Sequence, residues 1–371
     1  MITPKNVVDL FTELVRIDSE SKNERAIADR LKKKLKNLGL EVREDNAGNK
    51  VESDTGNIIA KLEGTSSDLP TLLLSAHMDT VKPGQGIEPT IKEDIIYSQG
   101  ETILGADDKA GITTILTVLE NLIESEREYG DIEVVFTICE EAGLLGAKYL
   151  DIELLKADFG IIYDAGGEIG TVVTEAPAQD KIHVVIKGKS AHAGIEPDKG
   201  VNAIKVASIA LSNMDLGRID EETTANIGVI KGGKATNIVP DRVELEGEAR
   251  SRDEAKLDAQ TKHMVEILKK SAKQFNAEVE VETERLFAAF KLDENLPILK
   301  SAIKAAERIG VEPNLIATGG GSDANILNGK GIPTINLGIG MTDVHTTDEH
   351  IKIADLMKSI DYTLAIIKSL G

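Results

Sequence analysis

A histidine and an aspartate lie two residues apart at the end of the apolar segment 71–81, as His77 and Asp79. Because residues i and i+2 of an extended chain face the same side, both side chains can reach one site. A neutral imidazole is a common metal ligand, and a neighbouring carboxylate can hold its second ring nitrogen. Taken alone, the pair is equally typical of a histidine that only satisfies its hydrogen bonds at a strand end.

Further carboxylates and a second histidine follow other apolar segments. They are Asp107, Asp108, Glu140, Glu141, Asp164 and His345. In an open α/β sheet, ligands bind outside the carboxyl ends of the strands, so these side chains can converge. Histidines with carboxylates suit zinc, with cobalt or manganese as alternatives, and one carboxylate could bridge two ions. Each acidic pair taken singly is more often a solvated loop or a helix start, because helix N-termini favour negative charge.

The order of the hydrophobic patterns predicts an α/β fold, with a mostly parallel sheet flanked by helices. Near-continuous apolar runs at 134–138 and 159–163 are typical of strands buried on both faces. They alternate with helical patterns, one of which has its apolar face at 111–124. Ser21 and Glu24 have the spacing of a capping box, which predicts that they open a second helix.

Residues 181–290 show a different pattern, in which apolar and acidic residues alternate. The predicted order is strand, helix, two strands, helix and strand, which is the ferredoxin-like βαββαβ order. We therefore predict a main domain of residues 1–180 and 291–371, interrupted by an inserted small domain of residues 181–290. A length of 371 residues agrees with two hydrophobic cores.

The composition excludes several classes of partner. A net charge of −20 opposes binding to nucleic acid or to an anionic membrane surface. The sequence lacks an apolar run of about 20 residues and an N-terminal signal-peptide pattern, so we expect neither a membrane span nor export. The single cysteine, Cys139, excludes an intrachain disulfide and suits the reducing cytoplasm.

The glycine-rich segment 319–323 lacks the Lys-Ser/Thr of a phosphate loop, so a substrate-facing turn is the better interpretation.

Taken together and in order, the motifs resemble those of the co-catalytic zinc exopeptidases, a family that includes peptidase T, succinyl-diaminopimelate desuccinylase and bacterial glutamate carboxypeptidase. The matching segments are SAHMDT at 75–80, LGADDKAG at 104–111, EEAGLLGA at 140–147, YD at 163–164, SAHAG at 190–194 and HTT at 345–347. The resemblance spans most of the chain. It implies a zinc-exopeptidase-like domain that carries an inserted lid and dimerisation domain.

The resemblance also implies a site with two zinc ions, for which Co²⁺ or Mn²⁺ could substitute. Asp107 would bridge the two ions. His77 and Asp164 would bind one ion, and Glu141 and His345 would bind the other.

Two further residues have implied catalytic roles. Asp79 would orient His77, and Glu140 would be the general base that activates water. The peptide bond between Asp107 and Asp108 is expected to be cis.

The resemblance assigns substrate contacts to the inserted domain and to the glycine-rich turn. His192 would reach the partner subunit's active site in a homodimer, while Asn237 and Arg250 would contact the carboxylate end of the substrate. The turn residues implied are Gly320, Gly321 and Ser322. From its surroundings in the sequence, Arg250 is equally well a solvent-exposed arginine that pairs with a nearby glutamate, because it is in phase with the acidic positions 244, 246 and 248.

The function expected from these residues is cytoplasmic hydrolysis of small peptides by a dizinc aminopeptidase, with tripeptides as the preferred substrates. An N-acyl amino acid amidohydrolase or a carboxypeptidase with the same chemistry is the alternative. A metal-binding protein without turnover is disfavoured, because the base Glu140 is present. The alternating strands of 181–290 leave a sheet edge that could pair across a two-fold axis, so we expect a homodimer.

Overall fold

The computed structural model describes residues 2–371. Its α-helices are α1 (Pro4–Val15), α2 (Arg25–Asn37), α3 (Ala47–Val51), α4 (Ala106–Glu124), α5 (Leu145–Tyr149), α6 (Ala203–Ser212), α7 (Glu254–Gln274), α8 (Pro297–Arg308), α9 (Asp323–Gly329) and α10 (Ile353–Leu370). Its strands are β1 (Glu41–Glu44), β2 (Ile58–Leu62), β3 (Leu72–His77), β4 (Pro89–Lys92), β5 (Ile95–Ser98), β6 (Ile132–Thr137), β7 (Phe159–Ala165), β8 (Thr171–Ala176), β9 (Ala178–Lys187), β10 (Gly217–Arg218), β11 (Thr223–Gly232), β12 (Arg242–Ser251), β13 (Glu278–Phe287), β14 (Phe290–Lys291), β15 (Asn314–Ala317), β16 (Thr334–Gly338) and β17 (His350–Lys352).

A nine-stranded sheet has the order β1-β2-β6-β3-β7-β16-β8-β14, with β15 paired to β8. Its centre is parallel, because β3 pairs in parallel with both β6 and β7, and β16 pairs in parallel with β7. Every residue of β3 and β6 is buried, which explains the continuous apolar runs in the sequence. The predicted α/β class and its mostly parallel central sheet are confirmed.

A five-stranded antiparallel sheet has the order β10-β11-β12-β9-β13. Apart from the two-residue strand β10, its four long strands and the helices α6 and α7 follow each other in the ferredoxin-like order βαββαβ. The alternating strands bury one face, and the core there includes Val184, Leu245, Val206 and Leu268. A third sheet, β17-β5-β4, is small and antiparallel.

The chain divides into two compact units. The first contains the residues up to Thr174 together with Lys291–Ala317 and Ser322–Gly371. The second contains Glu175–Phe290 and the four residues Thr318–Gly321. Within residues 2–371, no helix combines the length and the apolar character needed to cross a bilayer.

Two local predictions need correction. The interpretation of Ser21 and Glu24 as a capping box is wrong: α2 begins at Arg25, Glu24 is its N-cap residue by position, and both side chains bond to other parts of the fold. The helix expected from residue 111 begins earlier, at Ala106. Its first turn is kinked, because Asp107 and Asp108 have non-helical backbone angles, and the bond between them is cis.

Candidate active site

The sequence-predicted ligands lie at one edge of the nine-stranded sheet, within the first unit. His77 is the last residue of β3, Asp164 is near the end of β7, and the pair Glu140–Glu141 follows β6. Because β6, β3 and β7 are parallel neighbours, their carboxyl ends meet at the same edge. Asp107 arrives from the first turn of α4, and His345 from the loop between β16 and β17.

The possible ligand atoms form overlapping groups. One possible ligand atom from each of His77, Asp107 and Asp164 lies within 4.8 Å of the other two, and the same holds for Asp107, Glu141 and His345. His77 Nε2 is 2.9 Å from Asp107 Oδ1, and His345 Nε2 is 3.2 Å from Asp107 Oδ2 and 2.8 Å from Glu141 Oε1. Asp107 thus offers one carboxylate oxygen to each side. A donor set of imidazole nitrogens and carboxylate oxygens around a shared carboxylate fits two divalent cations.

A third group joins His77 with both Glu140 and Glu141. Both glutamates therefore lie close enough to bind a metal ion, and distance alone does not decide which of them is a metal ligand and which is the general base. Glu140 is the more deeply buried of the two. Burial raises its pKa well above the usual value, and the nearby carboxylate of Asp164 raises it further.

The other acidic side chains of the site also respond to burial. Burial raises the pKa of Asp164, and the neighbouring Asp107 adds to the effect. Burial acts in the same direction on Asp107, but hydrogen bonds to His345 and His77 outweigh it and leave the pKa of Asp107 below its usual value. Crowded, buried carboxylates are stabilised by positive charge, so the electrostatics of the cluster favour a bound cation.

Asp79 holds His77 and the turn after β6 at the same time. His77 Nδ1 is 2.8 Å from the backbone oxygen of Asp79 and 3.5 Å from its carboxylate. The ring is therefore oriented chiefly by a carbonyl, which leaves Nε2 directed at Asp107. The Asp79 carboxylate instead accepts hydrogen bonds from Glu140 N at 2.9 Å, Glu141 N at 3.2 Å and Ser21 Oγ at 2.6 Å.

Comparison with known proteins agrees with this geometry. Residues 73–369 match peptidase family M20/M25/M40. The chain belongs to this family. Members of the family are metal-dependent peptidases, and the chain is a metallo-exopeptidase.

Three relatives show the extent of the likeness. A tripeptidase structure from Staphylococcus aureus subsp. aureus Mu50 is 44% identical, with a TM-score of 0.96, over 100% of this chain and 99% of that one. The structure of aminopeptidase PepT from Bacillus cereus ATCC 10987 is 44% identical, with a TM-score of 0.91 and the same coverage. Peptidase T of Clostridium botulinum (strain 657 / Type Ba4) is 30% identical over 98% of both chains.

Glu349 is a residue of this M20-family site that sequence reasoning missed. It is 1% exposed, and its carboxylate accepts three backbone amides, from Leu104 and Gly105 at 2.8 Å and from Asp107 at 3.0 Å. Glu349 therefore fixes the backbone of Asp107 from the loop that also carries His345. In the sequence, Glu349 is only an acidic residue four positions after His345, and no pattern there predicts bonds to distant backbone amides.

We expect Glu349→Ala to weaken metal binding by about ten-fold or more. The variant leaves three buried amides unpaired and loosens Asp107, and residues that support a metal ligand typically contribute about 10–100-fold in affinity. Zinc affinity can be measured by competition with a chelator. Asp348→Ala is the matched control, because Asp348 is the exposed neighbour. Equal zinc affinities for the two variants would contradict the role of Glu349.

Asp323 ends the predicted substrate-facing turn, and its buried carboxylate also acts on the metal site, where it helps to raise the pKa of Glu140. Its Oδ2 accepts a hydrogen bond from Thr137 Oγ1 at 2.6 Å, while its buried Oδ1 has no hydrogen-bond partner among residues 2–371. Burial raises the pKa of Asp323 to about 6. From the sequence, Asp323 is only the last residue of the glycine-rich segment 319–323, with no role for its carboxylate.

The predicted substrate residues divide between the two units. His192 and Asn237 lie together in the second unit, where Ala193 N donates to Asn237 O at 3.0 Å. In the same unit, Arg250 donates from Nε and Nη2 to the two oxygens of Glu248, both at 3.0 Å. Arg250 thus forms the salt bridge of the alternative interpretation, but its side chain is only 27% exposed and not freely solvated.

Packing and helix capping determine two residues of the glycine-rich turn. A Cβ atom at Gly321 would lie 2.2 Å from the ring of Phe287, so only glycine fits there without a shift. Gly320 precedes it in the second unit. Ser322 belongs to the first unit and caps α9, since its Oγ accepts Ala324 N at 3.3 Å.

Proposed function

We propose that the chain is a dizinc aminotripeptidase, which releases the N-terminal residue of small peptides, tripeptides above all. One observation carries the proposal: over its whole length the chain matches a tripeptidase structure with 44% identity and a TM-score of 0.96. The similar aminopeptidase and the peptidase T sequence support the same choice. We propose that it acts in the cytoplasm, with which a buried, unpaired Cys139 is compatible.

The proposed ligand set follows the two overlapping groups of donor atoms. Asp107 would bridge two ions, His77 and Asp164 would hold one, and Glu141 and His345 would hold the other. We propose zinc as the metal because mixed imidazole and carboxylate ligands suit it, with cobalt or manganese as substitutes. Two divalent ions bring a charge of +4 and the three carboxylate ligands bring −3, so the site can receive a peptide carboxylate without strong repulsion.

Glu140 is the proposed general base. When bound, the metal ions would acidify water and polarise the scissile carbonyl. Glu140 would accept the proton of the attacking water and return it to the leaving amine. This task suits a carboxylate whose pKa is raised by burial, because a more basic carboxylate is a better proton acceptor. Asp79 contributes by holding the backbone amides of both glutamates.

We propose that residues 181–290 form a lid and dimerisation domain and that residues 1–180 and 291–371 form the catalytic domain. His192, Asn237 and Arg250 would bind substrate from the lid. The turn residues proposed for the same purpose are Gly320, Gly321 and Ser322. Arg250 can serve because its Nη1 makes only a long contact, 3.4 Å, with the backbone oxygen of Gly319.

The peptide specificity can be tested with substrates that differ at one end. An aminotripeptidase must recognise a free amino group and a carboxylate a fixed distance away, so we expect cleavage of tripeptides at the first bond. N-acetylated tripeptides and peptides much longer than three residues should react at least about a hundred-fold more slowly, because one recognised end is missing or out of reach. Chromatography of the products with added zinc, cobalt or manganese measures both rate and bond position.

The alternatives give different products in the same assay. Release of the acyl group from N-acyl amino acids would favour an amidohydrolase, and release of the C-terminal residue would favour a carboxypeptidase. Either result would contradict the aminotripeptidase proposal.

We further propose a homodimer that forms through β11. Beyond its two-residue pairing with β10, this strand has an open edge, and it carries Ile230, which is 53% exposed. The opposite edge strand, β13, exposes Glu278, Glu280 and Glu282, which would repel a second copy of themselves across a two-fold axis.

Light scattering at micromolar concentration should therefore show a dimer. Ile230→Glu should shift it to monomer, because the change puts charges at the proposed interface, whereas the control Glu282→Lys on β13 should stay dimeric. A monomeric wild-type protein with full activity would refute both the dimer and a role for His192 in the partner's site.

A further inference from the structure

The turn after β6 is held by side chains from three distant segments. Four successive backbone amides donate to side-chain oxygens: Ile138 to Asn57 Oδ1 at 3.0 Å, Cys139 to Glu24 Oε1 at 3.0 Å, Glu140 to Asp79 Oδ1 at 2.9 Å and Glu141 to Asp79 Oδ2 at 3.2 Å. The Glu140 carbonyl is also fixed, since it accepts the amides of Gly143 at 2.9 Å and Leu144 at 2.7 Å. The direction of the Glu140 side chain therefore depends on these bonds.

Glu24 is the acceptor farthest along the chain from this turn. Its side chain is completely buried, at 0% exposure. One oxygen accepts both the amide and the thiol of Cys139, at 3.0 and 3.2 Å, and the other accepts Ser53 Oγ at 2.7 Å. A buried carboxylate is unfavourable unless its oxygens accept hydrogen bonds. Here the bonds from Cys139 fix the turn, and the bond from Ser53 holds the Glu24 side chain beside it.

Cys139, whose amide donates to Glu24, has an unusual backbone conformation. Its φ of +50° lies in the left-handed region, which residues with a Cβ atom seldom adopt. This left-handed residue lies two positions after the end of β6 and turns the chain into Glu140. Removal of the Glu24 acceptor would leave this amide unpaired and let the residue relax toward ordinary angles.

We propose that Glu24 is a positioning residue, which fixes the backbone of Cys139 and so aims the Glu140 carboxylate at the attacking water. The proposal rests on the proposed role of Glu140 as general base. It also explains the spacing of Ser21 and Glu24: Ser21 supports the same turn through its 2.6 Å bond to Asp79, and Glu24 supports it directly.

Glu24→Ala should lower kcat by about 10–100-fold, because small misplacements of a catalytic group have effects of this size. KM and metal content should stay within about three-fold of wild type, since the proposed ligands are unchanged. Glu24→Gln keeps a carbonyl oxygen for the Cys139 amide, so its kcat should recover to within about three-fold of wild type. Steady-state kinetics, elemental analysis and thermal unfolding should be measured on each variant.

Glu133→Ala is the matched control. Glu133 is a buried glutamate on β6 that accepts the backbone amide of Lys156 through both oxygens, at 3.0 and 2.9 Å, and it precedes the turn by several residues. Its loss should lower the melting temperature, as that of Glu24 does, but leave kcat unchanged. If Glu24→Ala does not fold, Glu24→Asp retracts the acceptor while it keeps the charge, and its kcat should fall about ten-fold.

Several results would overturn the positioning role. The first is a wild-type kcat for Glu24→Ala, or for Glu24→Asp if Glu24→Ala does not fold. The second is a Glu133→Ala enzyme whose kcat falls as far as that of Glu24→Ala. The third is a Glu24→Gln enzyme whose kcat is no higher than that of Glu24→Ala. Failure of the proposed function is distinguishable, because Glu140→Gln would then retain turnover.

Discussion

Glu140→Gln should reduce turnover by about 10²–10⁴-fold and leave the metal content unchanged. The amide keeps the shape of the side chain but cannot accept a proton, and all the proposed ligands remain. Because Glu140 is proposed to act both on water and on the leaving amine, we expect the upper end of this range. The backbone of residue 140 should stay in place, since its amide and carbonyl are bonded to Asp79 and to the turn.

Glu141→Gln is the matched comparison, because it makes the same chemical change one residue away. Glu141 Oε1 lies 2.8 Å from His345 Nε2, and we propose that it coordinates metal. Its substitution should weaken one ion along with activity. The measurements are initial rates and elemental analysis for both variants. If Glu140→Gln loses a metal and Glu141→Gln keeps both, the two roles are reversed; near-normal rates for Glu140→Gln would refute the mechanism.

The sequence predicted the architecture well because the signals that determine it are local and repetitive. Continuous apolar runs indicated buried parallel strands, and alternation indicated a sheet with one exposed face. The convergence of the candidate ligands could be expected for the same reason, because parallel neighbours bring the ends of strands to one edge. The role of each ligand came only from the resemblance of the motifs to a known family.

The supporting side chains could not be predicted, because their partners are backbone amides far away in sequence. Glu349 bonds to amides 242–245 residues away, and Glu24 bonds to one 115 residues away. No spacing rule encodes such contacts. The local rule even pointed the wrong way, since the Ser21 and Glu24 spacing matches a capping box, whereas the tertiary structure recruits both side chains to the turn after β6.

The role of Asp79 shows the same limit at shorter range. The spacing of two residues predicted a carboxylate beside His77. That carboxylate does lie beside the ring, 3.5 Å from Nδ1, but the backbone carbonyl of Asp79 is closer, at 2.8 Å, and the carboxylate also accepts the amides of Glu140 and Glu141. The alternation of side chains holds only while the chain is extended, and β3 ends at His77.

Removal of the metal ions with a chelator should abolish measurable turnover and lower the melting temperature by about 5–10 °C, and added zinc should reverse both effects. Without cations, the carboxylates of Glu140 and Asp164 are buried close together, and their raised pKa values reflect that cost. A ligand that binds only the folded state at about a thousand times its Kd adds roughly 4 kcal/mol of stability, which accounts for the expected shift.

The variant His345→Ala tests whether the stabilisation by metal comes from the proposed zinc site. The His345 side chain is 50% exposed, so its loss should disturb the metal-free fold little. It does remove one proposed ligand from the group with Asp107 and Glu141. Zinc should therefore raise the melting temperature of the variant by less than it raises that of the wild-type protein. Calorimetry with and without zinc measures both shifts, and an equal gain in the two proteins would show that His345 does not hold the metal.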